Sequence, residues 1–130
     1  MFRANLPAHC PGDEAYEQAA TLYRVCRSNP PTDEDYRPHN ESTVPQKQRM
    51  ADPLKCAPWG LSVWVSEAEI RHARNHVMPW MQRQYVYSCA VNDDEGRLSA
   101  PGSNGHHTYW PYENTDLRAR SVLVMTPEGN

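Results

Sequence analysis

The stretch Leu61–Glu69 (LSVWVSEAE) predicts a strand that passes directly into a helix. Residues Leu61–Val65 are rich in the branched and aromatic side chains that favour strands. Ser66 and Glu69 then fit a capping box, in which the serine oxygen and the glutamate side chain satisfy each other's exposed backbone amides. An apolar stripe extends to Val77, two residues before a proline that ends the helix. This pattern predicts one well-capped helix at about residues 66–77.

Four further segments have the alternating or apolar character of strands: Thr21–Arg27, Gln84–Val91, His107–Tyr112 and Ser121–Thr126. Twelve prolines argue against an all-helical protein, because each proline fixes φ and removes an amide donor. We therefore predict a single α+β domain over residues 1–130, with a mainly antiparallel, bent or split β-sheet. Residues 1–12 and 127–130 are predicted to be loose ends.

The remaining segments lack the pattern of a strand. Residues 28–59 are predicted to form a long Pro-rich loop with a helical turn at Thr32–Tyr36. Polar and aromatic side chains crowd one part of this loop, at Tyr36, Arg37, His39 and Asn40. Such a loop either closes over a ligand or forms a hydrated tip. Asp13 is predicted to cap a short helix that runs through Ala20.

Composition narrows the classes of function. The formal net charge is −3 and no extended basic run is present, which argues against a dedicated nucleic-acid-binding protein. No segment approaches the roughly 20 apolar residues of a transmembrane helix, and the N-terminus lacks the apolar core of a signal peptide. The cysteines, Cys10, Cys26, Cys56 and Cys89, include no CxxC pair. We therefore expect reduced thiols and a cytoplasmic protein, with export by a signal-free route as the alternative.

Arg24 is the first candidate site residue, because it shares a strand face with the apolar Leu22 and Cys26. A charge in that setting needs a partner or borders a cleft. The planar guanidinium of Arg24, or of Arg27 just after the strand, can hold a phosphate by two-point contact. A structural ion pair is the alternative interpretation.

Ser62, His107 and Glu113 are the other candidates. Ser62 lies within a strand and lacks the second glycine of a G-x-S-x-G elbow, so serine-hydrolase chemistry is not expected. Ser62 is expected to bond either a ligand or the backbone. His106 and His107 are adjacent in a strand, so only one of them is expected to face a site that uses acid–base chemistry. Glu113 follows the same strand and is the acid least explained by local structure.

Metal binding is a weaker alternative. His72 and His76 lie one helical turn apart, but the HExxH glutamate is absent and a solvated helix face is favoured. A second potential ligand set combines a histidine of the 106–107 pair with His9, Cys10 or Cys56. A metal-dependent hydrolase that uses a histidine of the 106–107 pair with acids of the long loop is a third alternative. We therefore assign no metal ligands to the predicted site.

Taken in order, these motifs resemble a group of small bacterial proteins. The shared blocks are Leu22–Val25, Pro30–Thr32 with Asp35–Tyr36 behind it, Gly60–Trp64 and His107–Trp110. This group is in turn similar to the ADP-ribosyltransferase-like fold, which includes RES-type toxins that consume NAD. The resemblance covers about residues 21–126. It implies NAD binding with transfer or hydrolysis of ADP-ribose, in a toxin or effector.

The resemblance also implies a role for each candidate residue. Arg24 would hold the phosphates and Ser62 would take the middle-strand position. His107 or Glu113 would supply the late polarising group. The implied cofactor site consists of Arg24, Arg27, Tyr36 and Trp64. The family's Ser-Thr-Ser run and its Gln-x-Glu pair are absent from this chain, so enzymatic activity is left open.

A non-catalytic binding protein is the alternative. Its binding surface would be an aromatic groove for a protein partner, built from Trp59, Trp64, Tyr109 and Trp110. The predicted partners are therefore NAD or another small phosphate-bearing ligand, and a protein. Neither a nucleic acid nor a membrane is expected as a partner.

Overall fold

The computed structural model describes residues 1–102 and 104–128, and within them the chain forms two small antiparallel sheets. The first sheet has the order β1 (Ala20–Cys26), β3 (Tyr85–Val91), β6 (Val122–Met125). The second has the order β2 (Leu61–Val63), β5 (His107–Pro111), β4 (Gly96–Leu98). The predicted α+β class is confirmed.

The predicted helix is also confirmed, together with the serine half of the predicted capping box. Helix α2 (Glu67–His72) begins after Ser66, whose Oγ accepts the amide of Glu69 at 3.1 Å. The helix continues as a π-helical turn at Ala73–Val77. None of the helices in the described part of the chain has the length and apolar character of a membrane span.

A short backbone bridge joins the two sheets. The amide of Tyr23 in β1 donates to the carbonyl of Trp64 at 2.7 Å, and the amide of Trp64 donates back at 2.9 Å. One core cluster comprises Leu22, Leu61, Val63, Cys89, Val91, Leu98, Tyr109 and Leu117. A second comprises Trp64, Ile70, Ala73, Met81, Val86 and Met125. The first cluster draws on strands of both sheets, and the second includes the apolar side of α2.

The 28–59 segment is irregular, as predicted, and consists of short turns. It contains 3-10 turns at Glu34–Tyr36, His39–Glu41 and Ala57–Trp59, and the four-residue helix α1 (Pro45–Gln48). The carboxylate of Asp35 organises its beginning, because Oδ1 accepts the amide of Arg27 at 2.8 Å and Oδ2 accepts that of Thr32 at 2.9 Å. The buried Asp35 therefore holds this part of the loop in place.

Two local predictions differ from the structure. The helix predicted from Asp13 to Ala20 is wrong, because Tyr16 exchanges two backbone hydrogen bonds with Leu98 and the segment is extended there. β4, which carries Leu98, was not predicted. Its three residues are too few to give an alternation pattern. They pair with β5, which is further from β4 along the sequence than β3 is.

The two chain ends make specific contacts. Phe2 forms a backbone bridge with Tyr112, and Nε of Arg3 donates to the carbonyl of Thr115 at 2.9 Å. Phe2 and Arg3 therefore attach the first part of residues 1–12 to the second sheet, where the sequence predicts a loose lead-in. At the other end, the amide of Glu128 donates to the carbonyl of Gln82 at 2.7 Å. The last two residues of the predicted loose end, 129–130, lie outside the described residues.

Candidate functional site

Arg24 is bound to the backbone of its own protein. Its Nε donates to the carbonyl of Asp35 at 2.9 Å, and Nη1 donates to the carbonyl of Ser62 at 2.8 Å. Its guanidinium also lies 5.7 Å from the ring centroid of Tyr36. The side chain thus links β1, the long loop and β2, which explains a charge on a largely apolar strand face without any ligand.

Ser62 and His107 lie on opposite faces of the second sheet. In the β2–β5 register, Ser62 pairs with Thr108 and Val63 pairs with His107. Paired residues project to the same face and successive residues to opposite faces, so one cleft cannot contain both side chains. His107 is buried, and its Nδ1 donates to the carbonyl of Ser99 at 2.8 Å. The predicted convergence of Ser62 and His107 on one site is therefore wrong, because the register of β2 and β5 places their side chains on opposite faces.

The remaining predicted residues are also dispersed. The side chain of Glu113 is 64% exposed and lies 3.8 Å from the N-terminal amine. Nη2 of Arg27 donates to Oε1 of Gln46 at 2.7 Å. Trp64 is buried in the core, where its indole N–H has no hydrogen-bond partner among the described residues. These three side chains do not form one site.

The predicted aromatic groove is closed. Trp64, Tyr109 and Trp110 are 5%, 1% and 4% exposed, respectively. The indole N–H of Trp110 donates to the carbonyl of Cys56 at 3.0 Å. Only Trp59 of the four predicted groove residues is partly exposed, so this set presents no aromatic surface to a protein partner.

A cleft of about 300 Å³ lies elsewhere, with Tyr36 and Trp59 among its walls. We call it the Tyr36–Trp59 cleft. It is lined by Arg3, Ala4, Asp33, Tyr36, Arg37, Pro38, Glu41, Trp59, Leu61, Pro111, Thr115, Asp116, Leu117 and Arg118. Four segments that are distant in sequence meet there. Of the predicted catalytic and cofactor-binding residues, it contains Tyr36 alone, and of the predicted aromatic groove it contains Trp59.

Three arginines of the cleft retain hydrogen-bond donors. A guanidinium has five N–H donors. Arg3 uses Nε on the carbonyl of Thr115, and Arg37 makes one contact of 3.3 Å with Glu34. Arg118 uses Nε on the carbonyl of Pro31 and Nη1 on Asp33, each at 2.9 Å. Within residues 1–102 and 104–128 the other donors of these three guanidinium groups have no partner, so they are available to an anionic group in the cleft.

Carboxylates balance these cations. Asp33 pairs with Arg118, and Oδ1 of Asp116 accepts the amide of Ala119 at 3.2 Å. Glu41 also lines the cleft and is exposed. Carboxylate oxygens accept hydrogen bonds from hydroxyl groups, as they do from ribose in dinucleotide sites. The lining therefore suits a ligand that carries both phosphate and hydroxyl groups.

Tyr36 has a fixed position in this wall. Its hydroxyl hydrogen-bonds Ser121 and lies 3.6 Å from the sulfur of Cys89. Burial raises the pKa of the Tyr36 phenol, so the ring is neutral at physiological pH. The ring therefore acts in the cleft as an apolar surface and not as a base.

The cysteines divide into two pairs. Cys10 and Cys56 form a disulfide across a sequence separation of 46, and Cys26 and Cys89 are free and buried. The prediction of reduced thiols is wrong for the first pair. No CxxC spacing marks it, and the connectivity of widely spaced cysteines cannot be deduced from sequence.

Comparison with known proteins gives no relative. No protein-family profile, curated protein or solved structure matches this chain. The resemblance to ADP-ribosyltransferase-like proteins stays a prediction based on the sequence motifs.

Proposed function

We propose that this protein binds NAD or a related ADP-ribose-containing nucleotide in the Tyr36–Trp59 cleft. The observation that carries the proposal is the combination of two aromatic walls with three arginines that retain free donors. Aromatic rings provide apolar contact area for a planar base or nicotinamide. Arginine provides the two-point contact that phosphate oxygens prefer.

The size of the cleft favours one half of the dinucleotide. Its volume of about 300 Å³ is at the lower end of the roughly 300–1,000 Å³ range of ligand pockets. One nucleotide half would lie between Tyr36 and Trp59, and the other half would extend into solvent. The pyrophosphate would then pass the arginines at the rim.

Binding without turnover fits the positions of the predicted catalytic residues. Arg24 is engaged with two carbonyls, Ser62 and His107 face opposite sides of a sheet, and Glu113 is at the surface. Cleavage of the N-glycosidic bond needs a polar group aimed at the developing positive charge. We therefore expect no release of nicotinamide when the protein is incubated with NAD.

Arg37 offers the sharpest test, because it is exposed and its hydrogen bond to Glu34 is long, at 3.3 Å. We expect Arg37→Ala to weaken ADP-ribose binding by about tenfold or more, because one charge-assisted hydrogen bond to the ligand is lost. Isothermal titration calorimetry with NAD and ADP-ribose measures this change. The melting temperature should stay unchanged, since the side chain supports no other element.

Arg83→Ala is the matched control. Arg83 is also exposed and lies in the 3-10 turn at Pro79–Arg83, outside the cleft lining. Its removal changes the net charge equally and should leave the affinity unchanged. The proposal fails if wild-type protein binds neither ligand, or if both variants lose the same affinity.

A further inference from the structure

His9, Cys10 and Cys56 bring three metal-ligating side chains together outside the Tyr36–Trp59 cleft. A ring nitrogen of His9 and the two sulfurs lie within 4.8 Å of one another. None of the three residues lines the cleft. The cluster lies where the N-terminal segment meets the end of the long loop, and its cysteines are joined as a disulfide.

The backbone holds this cluster by contacts other than the disulfide. The amide of Cys10 closes a turn on the carbonyl of Pro7 at 3.0 Å. The carbonyl of Cys56 accepts the indole N–H of Trp110 at 3.0 Å, and Trp110 is almost fully buried. Reduction would therefore release two sulfurs whose main chains remain attached to neighbouring structure.

The hydrogen bond of His9 to the backbone decides which of its ring nitrogens can bind a metal. Its Nε2 lies 3.1 Å from the carbonyl of Leu54, which can only accept, so Nε2 carries the proton. The lone pair is then on Nδ1. A histidine that binds a metal through one nitrogen usually donates from the other to a carbonyl or carboxylate, which fixes the ring. His9 is also exposed, so an ion can reach it from solvent.

We propose that the reduced form of this cluster is a zinc site with two thiolates, one imidazole and a fourth position open to solvent. Two thiolates and a histidine form a ligand set that Zn²⁺ accepts in tetrahedral geometry. In the disulfide form the sulfurs are unable to act as thiolate ligands, so the site exists in one redox state only.

A dithiol is the reductant that opens the Cys10–Cys56 disulfide. The dithiol supplies two electrons and two protons, the Cys10–Cys56 bond breaks, and the dithiol becomes a disulfide. Zn²⁺ then displaces the two thiol protons into solvent as the thiolates bind. Oxidation by a disulfide of the surroundings would reverse both steps and release the metal.

The other two cysteines do not compete for the ion. Cys26 and Cys89 are buried, at 1% and 2% exposure. Burial also raises the pKa of the Cys26 thiol to about 11, which disfavours the thiolate that a metal requires. The metal-binding test can therefore use the complete chain with Cys26 and Cys89 left in place.

The experiment uses Co²⁺ as a spectroscopic substitute for Zn²⁺. The full-length protein is reduced with a phosphine, which is then removed without oxygen, and Co²⁺ is titrated. We expect one equivalent to produce a thiolate-to-cobalt charge-transfer band and the intense visible bands of a tetrahedral site. Zn²⁺ should remove both signals by displacement. The oxidised protein should give neither.

Variants separate this site from other ligands of the chain. His9→Ala should weaken Co²⁺ binding by more than roughly tenfold, since even outer-shell partners of a metal change affinity about tenfold to a hundredfold. Cys10→Ser should abolish the charge-transfer band. His76→Ala alters another exposed histidine and should change nothing.

The tests on wild-type protein decide the proposal even if a variant fails to fold. Because His9 is exposed, its alanine variant is expected to fold normally, and its melting temperature checks this. The proposal is overturned if reduced wild-type protein gives no thiolate band. Equal binding by the oxidised and reduced proteins would also overturn it, as would a loss in His76→Ala that His9→Ala lacks.

Discussion

Replacing Arg74 with methionine is expected to lower the free energy of unfolding by about 4 kcal/mol. Arg74 is only 4% exposed. Its guanidinium donates to the carbonyls of Met81, Gln82, Gln84 and Thr126. Methionine has a similar shape but no donor, so several shielded acceptors would lose their partner. Urea unfolding followed by tryptophan fluorescence measures the change.

Arg71→Met is the matched control for this prediction. Arg71 lies on the same helix but is exposed, and Nη2 is 2.9 Å from the carboxylate of Glu67. Exposed ion pairs contribute about 0–1 kcal/mol, so the expected loss is small. Equal losses for the two variants would show that the carbonyl contacts of Arg74 contribute little.

The second large effect is expected at Arg24. Arg24→Met should lower the free energy of unfolding by about 3 kcal/mol, because charge-assisted bonds to the carbonyls of Asp35 and Ser62 are lost. The folded fraction should bind ADP-ribose as wild type does, since Arg24 does not line the Tyr36–Trp59 cleft. Urea unfolding and calorimetry on the same preparation give the two values.

Arg27→Met provides the comparison for Arg24. Arg27 is exposed, and among the described residues its side chain donates only to Oε1 of Gln46. The Arg27→Met substitution should lower the free energy of unfolding by less than about 1 kcal/mol. A stable Arg24→Met protein that has lost ADP-ribose affinity would contradict the structural role of Arg24 and restore the phosphate-holding role that the family resemblance implies.

Local signals in the sequence explain how much of the fold could be predicted. The capping box at Ser66–Glu69 depends on side chains three residues apart, so it is visible without tertiary information. The alternation of Tyr85–Val91 and the apolar Val122–Met125 likewise identify strands. The α+β class follows from these elements.

Pairing between distant segments explains why the site could not be predicted in the same way. The register of β2 on β5 decides that Ser62 and His107 face opposite sides, and no local pattern encodes that register. The cleft needs Arg3, Arg37 and Arg118 from three parts of the chain. Only the crowding of polar and aromatic residues around Tyr36 pointed towards it.

The central claim is that ADP-ribose-containing ligands bind in the Tyr36–Trp59 cleft, and NMR chemical-shift mapping tests it most directly. On titration with ADP-ribose, we expect the largest shifts at the backbone amides of Arg37, Leu117 and Arg118 and at the indole N–H of Trp59, all in the cleft lining. The absence of shifts, or shifts centred on the amides of Ser62 and His107, would contradict the claim.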